Sequence, residues 1–231
     1  MWIDDQILEK HREPLALGAW VPDRATVVLG SSNDPASECC PESCAGDEVA
    51  ILRRYGGGGT VVLYPGCVVV SIGCWVAEHF HNNRYFKLLN AAVNNCLHSN
   101  FKFNSPLTQA GISDLVAGDK KFCGTSLFRS RNYLLYQASL IVDCDFEMIE
   151  KYLAHPSREP DYRRGRNHRD FLTGLANLST GITVAQVHEV LTNKLAGHVL
   201  CTLGSEATMP EPHQFSALQA RIERARAELR K

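Results

Sequence analysis

Four consecutive glycines, Gly56 to Gly59, stand between the basic pair Arg53-Arg54 and the run Thr60-Val61-Val62, and nothing else in the 231-residue chain restricts its fold so strongly. Glycine loses more backbone entropy on ordering than any other residue, and a glycine tract brings no side chain to pack. A folded chain keeps such a tract for what bare main chain can do, which is to adopt positive φ and to bring N–H groups close to a bound group. The two arginines add charge and forked donors suited to phosphate or carboxylate, so the segment predicts an anionic ligand. A flexible turn between Ile51-Leu52 and Val61-Val62-Leu63 is the plainer alternative.

At 45% hydrophobic and 21% charged residues the chain reads as one sizeable globular domain, with or without a short appendage. A formal net charge of −1 gives no general pull toward nucleic acid or an anionic membrane, so neither is expected as a partner and any basic site must be local. No stretch is apolar and long enough to span a bilayer, and Met1-Trp2-Ile3-Asp4-Asp5 lacks the layout of a secretory signal, which makes the cytoplasm the expected location. Nine cysteines, an odd count without such a signal, point to reduced thiols. Cys39, Cys40 and Cys44 cluster, but adjacent cysteines are awkward ligands for one tetrahedral ion, and no metal site is expected.

β-branched runs at 25–29, 61–64 and 68–72, each closed by glycine or proline, predict neighbouring strands, and further strands are expected at 113–117 and 134–142. Apolar positions three and four apart predict helices over about 82–99, 146–153 and 183–195. A last helical stripe runs from Phe215 to Leu229 and ends in Arg230-Lys231, where cations suit the helix dipole. Strands and helices joined by short connections indicate a mixed α/β (α+β) fold, with mixed sheets flanked by helices. From His155 to Asp170 five arginines interrupt this rhythm, as a solvated loop or as one that closes over an anion.

Lys121 follows the turn Gly118-Asp119 and precedes Phe122-Cys123-Gly124-Thr125-Ser126, whose small residues let a substrate approach the chain. A lysine there can serve as a compact ammonium that neutralises phosphate. Taken together, Arg53-Arg54 with Gly56 to Gly59 and Thr60-Val61, then Ser113-Asp114-Leu115-Val116 with Lys121 and Gly124, resemble the catalytic domain of lipoate-protein ligases. Gly181-Ile182-Thr183 leading into Gln186-Val187 adds weaker support, and the likeness covers roughly residues 15–200. Biotin-protein ligases, which share the fold, are disfavoured because their Gly-Arg-Gly-Arg signature is absent.

The resemblance implies a two-step reaction, in which lipoate or octanoate and ATP give acyl-AMP and a lysine of an acceptor lipoyl domain then takes the acyl group. It implies that Arg54, Gly57, Gly58, Gly59, Thr60, Val61, Val62, Ser113, Asp114 and Lys121 bind ATP or the adenylate, with Lys121 as the catalytic cation. Arg54, Gly58, Gly59, Lys121, Gly124 and Ser126 would bind lipoate, and Mg²⁺ would shield the phosphates. Val28, Leu29, Val70 and Ile72 are candidates by pattern for an apolar acyl tunnel. Residues 1–205 would form the catalytic domain and 206–231 a helical extension; where the family carries a C-terminal accessory domain, a separate partner protein would stand in.

Two positions depart from the family pattern, Leu63 and Gln137 standing where histidines are usual. Their loss removes polar contacts expected near the adenylate. One rival reading is an ATP-independent octanoyl or lipoyl transferase with Cys123, two residues from Lys121, as its nucleophile. The other is a non-catalytic lipoate-binding regulatory protein.

Overall fold

Nine uncharged residues in a row, Cys67–Trp75, form a strand in which every residue is buried. A strand covered on both faces reads this way, and the chain is built around it. The structure, a computed structural model, describes residues 3–78 and 80–229, without the side chain of Ile3. Met1, Trp2 and the Arg230-Lys231 end lie outside the described residues.

In chain order the described elements are helix α1 (Ile3–Glu9), strands β1 (Leu15–Trp20) and β2 (Thr26–Leu29), helices α2 (Pro35–Glu38) and α3 (Pro41–Gly46), and strands β3 (Ala50–Arg53), β4 (Val61–Leu63) and β5 (Cys67–Trp75). Helix α4 (Asn82–His98) leads to strands β6 (Leu107–Ala110), β7 (Asp114–Ala117), β8 (Lys120–Ser130) and β9 (Tyr133–Ile141). Helices α5 (Phe146–Tyr152), α6 (His168–Phe171), α7 (Leu175–Leu178), α8 (Val184–Leu203) and α9 (Pro212–Leu229) follow. The larger sheet has the order β1-β5-β9-β8-β7-β6, antiparallel throughout. The smaller has the order β3-β2-β4, with β2 parallel to β3 and antiparallel to β4. This is the expected mixed architecture.

Period-two alternation along β5 divides the molecule. Val68, Val70, Ile72 and Cys74 join Leu89, Val93 and Leu97 of α4 and Val187, Leu191 and Leu195 of α8 in the largest core cluster. Val69 faces the other way, against Val28 of β2 and Leu63 of β4. Val70 and Ile72, expected to line an acyl tunnel, are therefore packed under the helices instead. Leu29 lines a separate groove beside Arg53, Tyr55 and Arg226, so only Val28 of the four candidates reaches the cleft described below.

Helix α8 begins at a capping box, in which Thr183 accepts from the Gln186 backbone and the Gln186 side chain accepts from Thr183 N. It runs eight residues past the expected end at Leu195, because Val199 and Leu203 continue the buried stripe at i+4. That burial outweighs the cost of about 1 kcal/mol for the internal Gly197. The stretch from His155 to Asp170 is mostly exposed but anchored: Arg163 is buried, with its guanidinium carbon 4.7 Å from the Phe171 ring centroid. Helix α9 returns to the body and buries Leu218, Ile222 and Ala225 against Ile7 and Leu8 of α1 and Trp75 of β5. No helix among the described residues is long and apolar enough to cross a membrane.

The capping box gives a direct test of the α8 boundary. Thr183→Ala should cost about 1 kcal/mol and lower the Tm by about 2–4 °C, as read by thermal denaturation.

Candidate active site

The glycine tract connects β3 to β4, and both arginines before it turn back on main chain. Arg54, 7% exposed, donates from Nη2 to the carbonyls of Gly57 and Gly59, each at 2.7 Å, from Nε to Gly57 O at 3.2 Å and from Nη1 to Val28 O at 3.4 Å. Burial lowers its pKa to about 10 against the opposing pull of Asp4, and it remains a cation at neutral pH. Arg53 Nη1 donates to Gly30 O at 3.0 Å and Asn33 O at 2.7 Å, tying down the neighbouring loop. Only two of the four glycines are required by local geometry. Gly58 has φ +96°, and a Cβ at Gly56 would lie 2.8 Å from Ser126 Oγ.

This loop walls a cleft of about 120 Å³. Val28, Val61, Leu63 and Val69 form its apolar side, and Ser113, Asp114, Ser126 and Gln137 its polar side. The polar side is braced from beneath by α1, where Asp4 is fully buried. Asp4 Oδ2 accepts from Gln137 Nε2, and Gln137 Oε1 accepts from Ser126 Oγ at 2.8 Å. Ser71 Oγ donates to the other Asp4 oxygen at 2.6 Å.

Lys121 enters the cleft because of an irregularity in the sheet. Leu115 of β7 pairs with Cys123, whereas the next residue, Val116, pairs with Lys121, so one step on β7 spans two on β8. Such a bulge shifts the alternation of faces. Lys121 and Gly124, three apart, share the cleft side, and a Cβ at Gly124 would stand 3.2 Å from Lys121 Nζ. Phe122 and Cys123 both go into the core under α4. The structure thus contradicts Cys123 as a nucleophile: it is wholly buried, and burial pushes its thiol pKa far up, outweighing the smaller lowering by Lys121. Lys121 Nζ lies 2.7 Å from Asp114 Oδ1, and Asp114 Oδ2 accepts from Tyr162 OH at 2.8 Å.

A second cavity of about 90 Å³ adjoins the first. Thr60, Val61, Lys121, Gly124 and Ser139 line both. Its own walls are largely apolar, with Val62, Ile149, Phe171 and Leu172 among them. Arg163 and His168 are its buried basic residues. Arg163 Nε donates to Arg166 O at 2.9 Å, while its Nη2 is buried without a hydrogen-bond partner. Burial, followed by the nearby Arg163 cation, lowers the His168 pKa to about 4 and keeps the ring neutral.

The structure brings Arg54, Gly58, Gly59, Thr60, Val61, Ser113, Asp114, Lys121, Gly124 and Ser126 to the first cleft, and Val62 to the second. Gly57 lines neither; the place of its absent Cβ is nearest Ser31 Oγ, at 4.0 Å. Tyr162, Arg163, His168 and the brace from Asp4 were not anticipated. The arginine-rich stretch carried the only signal for the first three.

The profile described as the lipoyl protein ligase A/B catalytic domain matches residues 1–196. The chain belongs to this family. A probable lipoate-protein ligase A from Mycoplasma genitalium is 30% identical over 128 residues, 55% of this chain and 37% of that protein. The match thus spans little more than a third of that curated relative's length. Among solved structures, the bipartite lipoate protein ligase from Thermoplasma acidophilum, described with its E2 lipoyl domain, superposes with a TM-score of 0.71 at 17% identity, over 95% of this chain and 85% of that one. A ligase from the same organism with bound lipoic acid gives 0.66 at 18%, over 96% and 88%. A lipoate-protein ligase A bound with ATP gives 0.67 at 18%, over 95% and 87%. These superpositions show a shared fold over nearly the whole chain.

Two stability measurements probe the site without substrate. Gly56→Ala, which forces a contact with Ser126, should cost about 1–3 kcal/mol, whereas Gly57→Ala should stay within about 0.5 kcal/mol in a denaturant titration. Because the folded His168 pKa of about 4 lies below the ordinary 6.5, the unfolded chain binds more protons between those values. Its stabilising contribution is complete above pH 6.5 and lost as the pH falls toward 4, so thermal melts should decline more steeply there for the wild type than for His168→Gln.

Proposed function

We propose that this chain is an ATP-dependent lipoate-protein ligase, which converts lipoate or octanoate to acyl-AMP and passes the acyl group to a lysine of an acceptor lipoyl domain. Residues 1–205 form the catalytic unit in this reading, and 206–231 a helical extension. The observation that carries it is the place of one ammonium, since Lys121 lines both cavities. Two anions that must react need their repulsion cancelled where they meet. An ammonium has three donors; Asp114 takes one and holds the group in place, leaving two for the reactants.

The acyl chain lies along Val28, Val61, Leu63 and Val69 in the first cleft, and the nucleotide occupies the second, where the unpartnered Arg163 Nη2 donates to it. A carboxylate oxygen attacks the α-phosphorus, an oxygen–phosphorus bond forms, and pyrophosphate leaves with the electron pair of the broken bond. The acceptor amine then attacks the acyl carbon and AMP departs. Peptide groups are trans, so the Gly57 and Gly59 carbonyls that face Arg54 turn the N–H groups of Gly58 and Thr60 away from it. These N–H groups are the proposed main-chain donors to the adenylate. Among the described residues no group of three or more His, Cys, Asp and Glu is arranged to hold a metal, so Mg²⁺ would arrive on the phosphates of ATP.

The Thermoplasma ligase described with an E2 lipoyl domain supports a lipoyl domain as acceptor, and its bipartite nature supports a separate accessory protein here. A thiol-based transferase is disfavoured by the burial of Cys123. Purified chain given ATP and lipoate, with an accessory protein where one is needed, should release pyrophosphate and modify an apo lipoyl domain. Absence of both reactions would refute the ligase and leave the binding protein. Lys121→Met should lower kcat by about 10²–10³-fold. Arg163→Met should raise the KM for ATP about tenfold and change that for lipoate less than about twofold.

A further inference from the structure

We propose that Arg226 of α9 is a positioning residue for the glycine loop, acting through Tyr55, the last side chain before the tetraglycine. Helix α9 lies beyond residues 1–196, the part matched by the family profile. Its Arg226 reaches two elements at once: Nη2 lies 2.9 Å and Nε 3.1 Å from Asp5 Oδ1 on α1, and Nε donates to Tyr55 OH at 3.0 Å. Tyr55 OH in turn donates to Asp5 Oδ1 at 2.7 Å. The Tyr55 ring is buried, 5.6 Å from the Phe128 ring, within the cluster that α9 builds with α1.

This anchor matters because the loop has so few others. Gly56 to Gly59 present no side chains, and beyond Tyr55 the loop is held by the guanidinium of Arg54, by Ser31 N donating to Gly56 O at 2.9 Å and, at its end, by Asn33 Nδ2 donating to Thr60 Oγ1 at 3.1 Å. Fixing the Tyr55 ring therefore fixes the direction in which the main chain leaves β3. Asp5 couples the same helix to the far side of the cleft, since its neighbour Asp4 accepts from Gln137. A displacement of α9 is thus felt at both walls of the first cleft, and less in the second cavity, whose lining includes none of Gly58, Gly59 and Gln137.

The functional consequence rests on the first cleft holding the acyl chain; the mechanical coupling does not. Amide hydrogen exchange on the free protein tests the coupling at the amides that bond the loop's ends, Ser31 N to Gly56 O and Arg54 N to Leu29 O, with Arg226→Met and Tyr55→Phe each expected to speed their exchange about tenfold while β5 and β9 stay protected. The double variant should exchange no faster than the larger single one, as expected for residues acting as one unit. In turnover, Arg226→Met should raise the KM for lipoate about fivefold or more and also lower kcat, since the loosened loop carries the proposed N–H donors to the adenylate, while the KM for ATP stays within about twofold. Unchanged exchange would overturn the proposal, and so would faster exchange with an unchanged KM for lipoate. A wild type inactive with ATP and lipoate would instead refute the ligase reading, leaving the exchange result to decide the coupling alone.

Discussion

A guanidinium that faces its own main chain sets the shape of this site. Arg54 is almost fully buried, and a buried cation is costly unless its donors are used and its charge is balanced. Here the carbonyls of Val28, Gly57 and Gly59 take the donors, and the field of Asp4 offsets the charge. The arrangement works in both directions. The cation is stabilised by carbonyls that a loop with positive φ at Gly58 turns inward, and the loop, lacking side chains of its own, takes its shape from the cation. The sequence places the two next to each other, and the physical reason is that neither is stable in this conformation alone.

A similar logic holds on the opposite wall. Lys121 reaches the cleft through a bulge that breaks alternation along β8, and Asp114, which precedes the bulge on β7, fixes the ammonium. Tyr162 then joins Asp114 from the arginine-rich segment, so that segment is bonded to the cation's own partner. Arg163 and His168 from the same stretch line the second cavity. The wall of one cavity and the anchor of the cation between the two are therefore parts of a single segment, in which Arg163 serves as a buried packing group as well as a charge.

The fold was legible wherever one periodicity was strong. The strands β5 and β9 and the helices α4 and α5 were readable to within a few residues, because their burial patterns depend on local sequence alone. Helices α1 and α9 and strand β1 support one another across the whole length of the chain, and no local pattern reports that Asp4 and Asp5 will lie beneath Gln137 and Tyr55. Glycines, arginines and Lys121 marked the site because their chemistry is unusual where they stand. Cys123 was misread because an extended strand puts residues two apart on one face, and a bulge leaves no trace in a single sequence. Val70 and Ile72 failed as tunnel candidates for a simpler reason: alternation showed that they share a face, but not which face the helices would cover.

Leu63 and Gln137, the two positions expected to differ from the pattern the sequence resembles, meet different fates. Leu63 joins Val28 and Val69 in an apolar patch that needs no polar partner. Gln137 sits in a closed chain, accepting from Ser126 and donating to Asp4, which also accepts from Ser71. A buried polar group is tolerated when its hydrogen bonds are made, and an incoming ligand that displaced them would have to replace them. An apolar chain cannot do so. The polar floor therefore resists occupation by an apolar group and leaves the Val28–Leu63–Val69 side as the apolar face of the cleft, while its cation, Lys121, and that cation's partner, Asp114, stand in place.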